Sequence, residues 1–454
     1  ARNVEQFRRR YTWDMGNRLL VARDEISGRV ARYDYDEFDN LISAEYERGG
    51  EVERLYRVPD RMGNLFETRE KDDRKYDAGG RLAEDREFFY HYDCEGNLVF
   101  KEFKELSWGG NVIAPINKER LETELGIRFR AFGTGWRYDW QSDGMLARVV
   151  RPDGKEVSFA YDALGRRIRK TYAGTTTHFV WDGNVPLHEW TETAESEESE
   201  MVTWLFEQDT FVPAAKLAAN GECFSIISDY LGTPLQAYDK KGNKVWEQEL
   251  DIYGRQRKRP SAFIPFKYQG QYEDVETGLY YNRFRYYAPR TGAYISQDPI
   301  GLMGGNPTLY GYVRDLNAWI DLLGLLGEEF DVGLHTELLR TKKDPNLRSH
   351  HVGQKAIMKD IVADYDEMKA PAILVDKTGH NVNKPGAEPG IVSRSRINPK
   401  TNCPFTNARD LLARDIRELR RVYPNIPNSK LKELIDLNKK MYPEMRKPAK
   451  ASHH

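Results

Sequence analysis

One unit recurs along this chain and limits what it can fold into: an aromatic or β-branched run, an aspartate, a few turn residues with a glycine, then an apolar residue. In order it reads YTWDMGNRLL, RYDYDEFDNLI, RVPDRMGNLF, KYDAGGRLA, HYDCEGNLVF, RYDWQSDGMLARV, AYDALGRRI, VWDGNVPL and AYDKKGNKV. The anchoring aspartates include Asp14, Asp34, Asp60, Asp77, Asp93, Asp139, Asp162, Asp182 and Asp239, often about twenty residues apart. Wide side chains favour strands, and aspartate hydrogen-bonds its own backbone at a turn. Gly16, Gly79, Gly96 and Gly165 are placed to take the positive φ such turns need. A Leu, Ile or Val then starts the returning strand. The chain is therefore predicted to be mainly β, a long run of hairpins with little helix before residue 325.

Such a sheet has edges to hide and two faces to cover. A mean hydropathy of −0.73 with 12% aromatic residues suits a curved shell wetted on at least one side better than a compact sandwich. Periodicity alone also allows a propeller or another β-repeat. Cys94, Cys223 and Cys403 lie far apart, without metal or disulfide spacing, which favours a reducing compartment. No apolar run approaches the roughly 18 residues of a membrane span. The first residues lack a signal-peptide pattern and begin within a repeat, so the natural protein is expected to extend upstream.

These repeats resemble the Rhs/YD-repeat family, and residues 229–325 make the resemblance specific. There stand DYLGTPLQAYDKKGN, DIYGRQRK, FKYQGQYEDVETGLYYNRFRYYAPRTGAYISQDPIGL and LYGYVRDLNAWIDLLGL, which look like the C-terminal boundary of an Rhs core. The resemblance implies a β-cage around a variable C-terminal toxin, made in the producer's cytoplasm and delivered into target cells by a secretion apparatus and chaperone of the type VI kind. It also implies an immunity protein that protects the producer. A complete cage needs more strands than this chain has, so a partial cage or a truncated product is expected. The expected divisions are a YD-repeat shell over 1–228, a core C-terminal autoprotease region over 229–325, and a toxin domain over 326–450.

Within that boundary DPIG begins at Asp298 and DLLG at Asp321. Two such DPxG elements resemble the halves of the family's intramolecular aspartyl protease, which cuts just after the second, here between Leu325 and Leu326. Paired carboxylates suit this chemistry. Neighbours of like charge do not both ionise cheaply, so one stays protonated as acid while the other activates water. Leu322 stands where the family has proline; proline pre-sets φ, so its loss is expected to slow or preserve cleavage rather than abolish it. Without the resemblance, both aspartates read as turn caps.

Composition changes after Leu325. Residues 326–454 carry 24 Lys+Arg against 17 Asp+Glu, a net of +7, whereas the rest carries 45 against 54, a net of −9. An acidic body with a basic tip suits a nucleic-acid-facing end. A helix is predicted over 353–368, a buried strand over 370–376, and two helices after residue 406. Ala408, Leu411, Leu412, Ile416, Leu419 and Val422 fall at helical spacing, with Arg409, Arg414, Arg417, Arg420 and Arg421 on the exposed side. The second of these helices has Asn428 as its N-cap and Pro443 as its stop.

Four of the nine histidines fall between residues 335 and 380. RSHH (His350, His351) and KTGH (His380) resemble the HNH/treble-clef nuclease toxins, implying a small α/β metal-dependent DNase. By that resemblance His351 is the general base, and His350 and His380 bind a divalent ion (Mg, Mn, Zn or Ni), though the paired roles are exchangeable. Adjacent strand residues face opposite sides, so both reach one site only through a twisted or strand-end geometry. The family's further helix histidine is missing, leaving Asn381, Asp376, Asn407 or Asp410 as substitutes. Arg394 and Arg396 are candidate phosphate clamps for the DNA substrate. Two other readings stand beside this one: a structural or adhesive YD-repeat protein with a non-catalytic tip, and a metal-independent RNase using His351 and His380.

Overall fold

The computed structural model describes residues 7–442 apart from Asn17, Ser107, 194–199, Asp209, 258–262, Ile300, 302–307, 326–331, Glu337, 339–346, 363–364, Thr378, 381–389, 392–394, Lys400, Asn425 and Pro427. The repeats form hairpins closed by one local hydrogen-bond pattern. At Asp162, Oδ1 accepts the amides of Leu164 and Arg166, both at 2.9 Å. Its own amide donates to Arg166 O, and Gly165 N returns to Asp162 O. Asp60, Asp239 and Asp251 repeat the arrangement. Every bond spans four residues or fewer, so each unit needs only its own sequence.

Two of the expected anchors are displaced. Asp34 and Asp139 lie inside strands Val30–Tyr35 and Gly135–Trp140. Their turns use Asp36, which accepts the amides of Phe38 and Asn40, and Asp143, which accepts Met145 N. Asp139 instead pairs with Arg137 and Arg148. Gly16 also departs from expectation, since it does not adopt positive φ, whereas Gly79, Gly96 and Gly165 do.

The hairpins assemble into two large antiparallel sheets with sequential strand order. Five strands, from Arg9–Trp13 to Glu51–Tyr56, make the first. Fifteen, from Lys75–Asp77 to Lys244–Glu247, make the second, which continues without a break across position 228/229. A four-stranded sheet, Tyr272–Asp274, Leu279–Asn282, Arg285–Ala288 and Ala293–Tyr294, follows. Its Leu279, Tyr281 and Tyr286 share one apolar core with Phe88, Trp136, Tyr138 and Phe159 of the long sheet. Buried Arg167 crosses between them to Asp274 at 2.5 Å. Among the described residues, Lys118–Leu125 is the one helix in this part.

The backbone separates into two compact units, with the division after Gly324. In the second, strand Pro371–Asp376 lies between Val332–Leu334 and Leu347–His351. Helices Lys355–Ile361, Ala408–Val422 and Asn428–Met441 bury Met358, Leu411, Leu419 and Leu434 in a core with Ile373 and Val375. Asn407 caps the second of these helices through Asp410 N. Arg414, expected on the exposed side, is buried, because its guanidinium bonds Asp415 at 2.7 Å and Ser395 O at 2.9 Å. Among the described residues no helix is long and apolar enough to cross a membrane, and all three cysteines are free.

Candidate functional site

Both aspartates of the boundary motif reach one guanidinium nitrogen. Arg285 Nη2 lies 2.8 Å from Asp298 Oδ2 and 3.3 Å from Asp321 Oδ2. The three residues are 1%, 9% and 0% exposed, respectively, so this is an interior ion cluster rather than a pair of surface turn caps. Tyr294 Oη donates to Asp321 Oδ2 at 2.8 Å, and Asn282 Nδ2 donates to Tyr294 Oη and to Asp321 O. The Arg285 guanidinium also lies 3.7 Å from the centre of the Tyr294 ring. Burial draws the Arg285 pKa below its ordinary value, and Tyr294 and Asp298 oppose that effect.

The four-stranded sheet builds this site. Asn282 ends one strand and Arg285 begins the next, joined by a tight turn with Arg283 at φ +59°. Arg285, Asn282 and Tyr294 were not singled out in the sequence. The readable signal was a run of charged and amide residues inside the apolar, aromatic stretch GLYYNRFRYY, where buried polar groups need partners.

Leu322, which replaces the family's proline, lies in a backbone held from outside. Asn282 holds Asp321 O, Phe284 N donates to Leu323 O at 3.3 Å, and Arg285 Nε donates to Gly324 O. Gly270 completes the seat. At φ +83° it has no Cβ, and one would stand 2.2 Å from Leu322 O. Gly270→Ala should therefore push this segment from its seat and destabilise the shell by about 1–3 kcal/mol, which a denaturant midpoint would register. An unchanged midpoint would mean that Leu322 yields freely. Leu325 closes the expected cleavage site, and its partner Leu326 lies outside the described residues.

A second buried acid stands just upstream. Burial pushes Asp315 up to about 6, opposed by the Asn317 amide and by Arg57. A carboxyl raised above its unfolded value stabilises fully below the unfolded pKa, and that contribution is lost as pH rises through the folded one. Asp315→Asn keeps an acceptor for Asn317 N without the charge. It should be more stable than the parent by about 1–3 kcal/mol at pH 7–8, and the gain should vanish near pH 4. A pH-independent difference in thermal unfolding would contradict this.

The histidines separate into two pairs. Strand Leu347–His351 pairs with Pro371–Asp376 in regular register through His351, so the twist that would unite His350 and His351 is absent. His350 is buried, with its ring 5.1 Å from that of His380. Among the described residues its buried Nε2 has no hydrogen-bond partner. Burial first, then His380 and His351, holds its pKa well below 6.5. Next to His380, a Cβ added at Gly379 would stand 2.6 Å from Tyr423 Oη and from Val422 Cγ1, at the end of helix Ala408–Val422.

The His351 ring instead lies 4.0 Å from that of His335, tilted by 35°, and His335 Nδ1 lies 2.8 Å from Ser349 Oγ. His351 Nε2 lies 2.9 Å from Glu367 O, and burial, then Lys355, lowers its pKa. His335 stands outside the RSHH and KTGH stretches, so no motif marks it in the sequence. The ring contact of His351 is with His335, and that of His380 is with His350.

Of the candidate last ligands, Asn407 and Asp410 bond each other at the helix start, and Asn381 lies outside the described residues. No group of three or more His, Cys, Asp or Glu suited to a metal occurs among the described residues. Arg396 pairs with Asp360; Arg394 lies outside the described residues.

The Teneurin YD-shell family model matches residues 129–303, a span that includes Asp298 and ends before Asp321. Toxin protein Tse5 of Pseudomonas aeruginosa is 32% identical over 68% of this chain and 24% of its own length. Double-stranded DNA deaminase toxin A of Burkholderia cenocepacia is 28% identical over 72% of this chain and 23% of its own. Probable deoxyribonuclease RhsB of Dickeya dadantii is 30% identical over 55% and 16%. The chain thus spans about a quarter or less of these relatives. Their likeness, the family model and the sequential meander of Asp-turn hairpins agree: the chain belongs to the Rhs/YD-repeat polymorphic toxin family.

Proposed function

We propose that this chain cuts itself between Leu325 and Leu326, with Asp298 and Asp321 as acid and base, and so frees a C-terminal metal-dependent DNase used against other bacteria. The shared Arg285 nitrogen carries the cleavage reading. Two buried carboxylates on one guanidinium nitrogen are neighbours of like charge, and such neighbours do not both ionise cheaply, so sharing of one proton is favourable. That proton makes one carboxyl the acid and leaves the other as base beside Arg285. Attack of water on the Leu325 carbonyl then consumes a proton at the leaving nitrogen and releases one from water, a balance one acid and one base maintain.

For the tip, a buried His350 whose Nε2 has no hydrogen-bond partner among the described residues, with the His380 ring 5.1 Å away, fits a cation's ligand pair. A divalent ion there would polarise a phosphodiester and its attacking water. DNA as the target is supported by two relatives, a double-stranded DNA deaminase toxin and a probable deoxyribonuclease. The two differ in chemistry, so they support the target more than the reaction. Delivery by a type VI apparatus and neutralisation by an immunity protein belong to the same proposal.

A second reading rests on the adjacent half-buried imidazoles of His335 and His351. These suit metal-independent acid–base cleavage of RNA. Incubating the chain with plasmid and with total RNA, each with and without chelator, separates the two. Chelator-sensitive loss of plasmid is expected; chelator-resistant loss of RNA would favour the second reading, and intact nucleic acid throughout would remove both.

A further inference from the structure

Residues 312–321 carry the chain into Asp321, and they are held by a sheet more than 250 residues away in sequence. Arg57, 2% exposed, follows the last strand of the five-stranded sheet. Its Nη2 donates to Val313 O at 2.6 Å and its Nη1 to Arg314 O at 2.9 Å. Leu41 N reaches Arg314 O at 3.3 Å, and Asn317 Nδ2 reaches Tyr35 Oη at 3.2 Å. Tyr230 Oη donates to Asn317 O at 2.6 Å.

What Arg57 grips lies next to the dyad's support. Tyr312, one residue before Val313, accepts the Asp321 amide on its hydroxyl at 3.5 Å. Its ring lies 5.8 Å from that of Tyr294, the residue that donates to Asp321 Oδ2. Close packing does not fix this joint by itself. A cavity of about 100 Å³ lies in it, lined by Tyr11, Tyr33, Asp229, Tyr230, Leu316 and Asn317. Directional bonds therefore share with packing the placing of 313–317, and Arg57 donates to two successive carbonyls from one planar guanidinium.

We propose that Arg57 is a positioning residue for self-cleavage: by clamping the 313–314 backbone it seats Tyr312, and through it Asp321, against Arg285 and Asp298. The inference rests on the cleavage reading above. It makes the cut depend on docking of the five-stranded sheet, so the protease becomes competent only once that distant sheet is in place. Arg29 supplies the contrast. It binds the same sheet to Glu247 and Glu249 at 2.8 and 3.3 Å, ion pairs that do not involve residues 312–321.

The test is a cell-free pulse–chase of the full chain, following release of the fragment that begins at Leu326. Arg57→Met should slow release by about tenfold or more, because small displacements of a reacting group are costly. Arg57→Lys, which keeps one donor, should fall between, and Arg29→Met should cut at the parental rate. Protease resistance of the shell should match among all four chains. Parental-rate release by Arg57→Met, or equal slowing by Arg29→Met, overturns the proposal. Should Arg57→Met not fold, Arg57→Lys carries the test, and a folded Arg57→Lys chain that releases the fragment at the parental rate overturns it equally. A parent chain that never cuts overturns the cleavage reading and the inference with it, an outcome distinct from a cutting parent beside a full-rate Arg57→Met.

Discussion

Asp321→Asn and Asp298→Asn should each leave the chain uncut, whereas the unmutated protein yields a fragment whose first residue is Leu326. General acid–base catalysis contributes about 10²–10⁴-fold, and loss of either carboxyl from the pair removes it, so the cleaved band should vanish on the timescale of purification. Asparagine nearly matches aspartate in shape and still accepts from Tyr294 or Arg285. The guanidinium in each variant keeps one carboxylate, since both lie on Nη2, so the shell should stay folded. Arg285→Met differs in kind: it leaves two buried carboxylates without their cation, a loss of about 3–5 kcal/mol, and should reduce soluble protein as well as cleavage. N-terminal sequencing of the three variants beside the parent decides the matter. An intact parent, or a folded Asp321→Asn chain that cuts at the parental rate, would remove the dyad.

The second large effect concerns the tip. Expression of residues 326–450 in bacteria should stop growth and degrade DNA, and His350→Ala should reduce both by about 10²–10⁴-fold. The first reading further requires that His350→Ala weaken metal binding, measured by titration calorimetry with Mg, Mn, Zn and Ni. His351→Ala is the informative companion. If the base acts from the His335 side, this change should remove activity while leaving metal affinity in place, because the two pairs are separate. A folded His350→Ala protein that still degrades DNA at the original rate would end the metal assignment. Full activity in both variants would end the histidine chemistry altogether.

The hairpin shell was legible in the sequence because its rules are local. An aspartate that accepts the amides two and four residues on, with glycine at positive φ, closes a turn without help from elsewhere. Asp34 and Asp139 show where that legibility stops. Each precedes a second acid or amide within the same unit, and pairing in the finished ladder, rather than the local motif, chooses which residue turns the chain. The helix Ala408–Val422 was readable from apolar spacing, yet buried Arg414 was not, since its partners Asp415 and Ser395 O meet it only after folding. Asp298 and Asp321 were visible as a motif, whereas Arg285 between them, Tyr294 and the Arg57 clamp were not. Their bonds join residues 13 to 257 apart, and no local pattern encodes such a meeting. The histidine pair completes the contrast: SHH announced three chemically useful side chains, and strand alternation then gave Ser349 and His351 to His335 and His350 to His380. Sequence determined the repeat, the charge division and the residues worth watching; tertiary structure decided which of them share a site, because partnership between side chains is set by packing across sheets rather than by spacing along the chain.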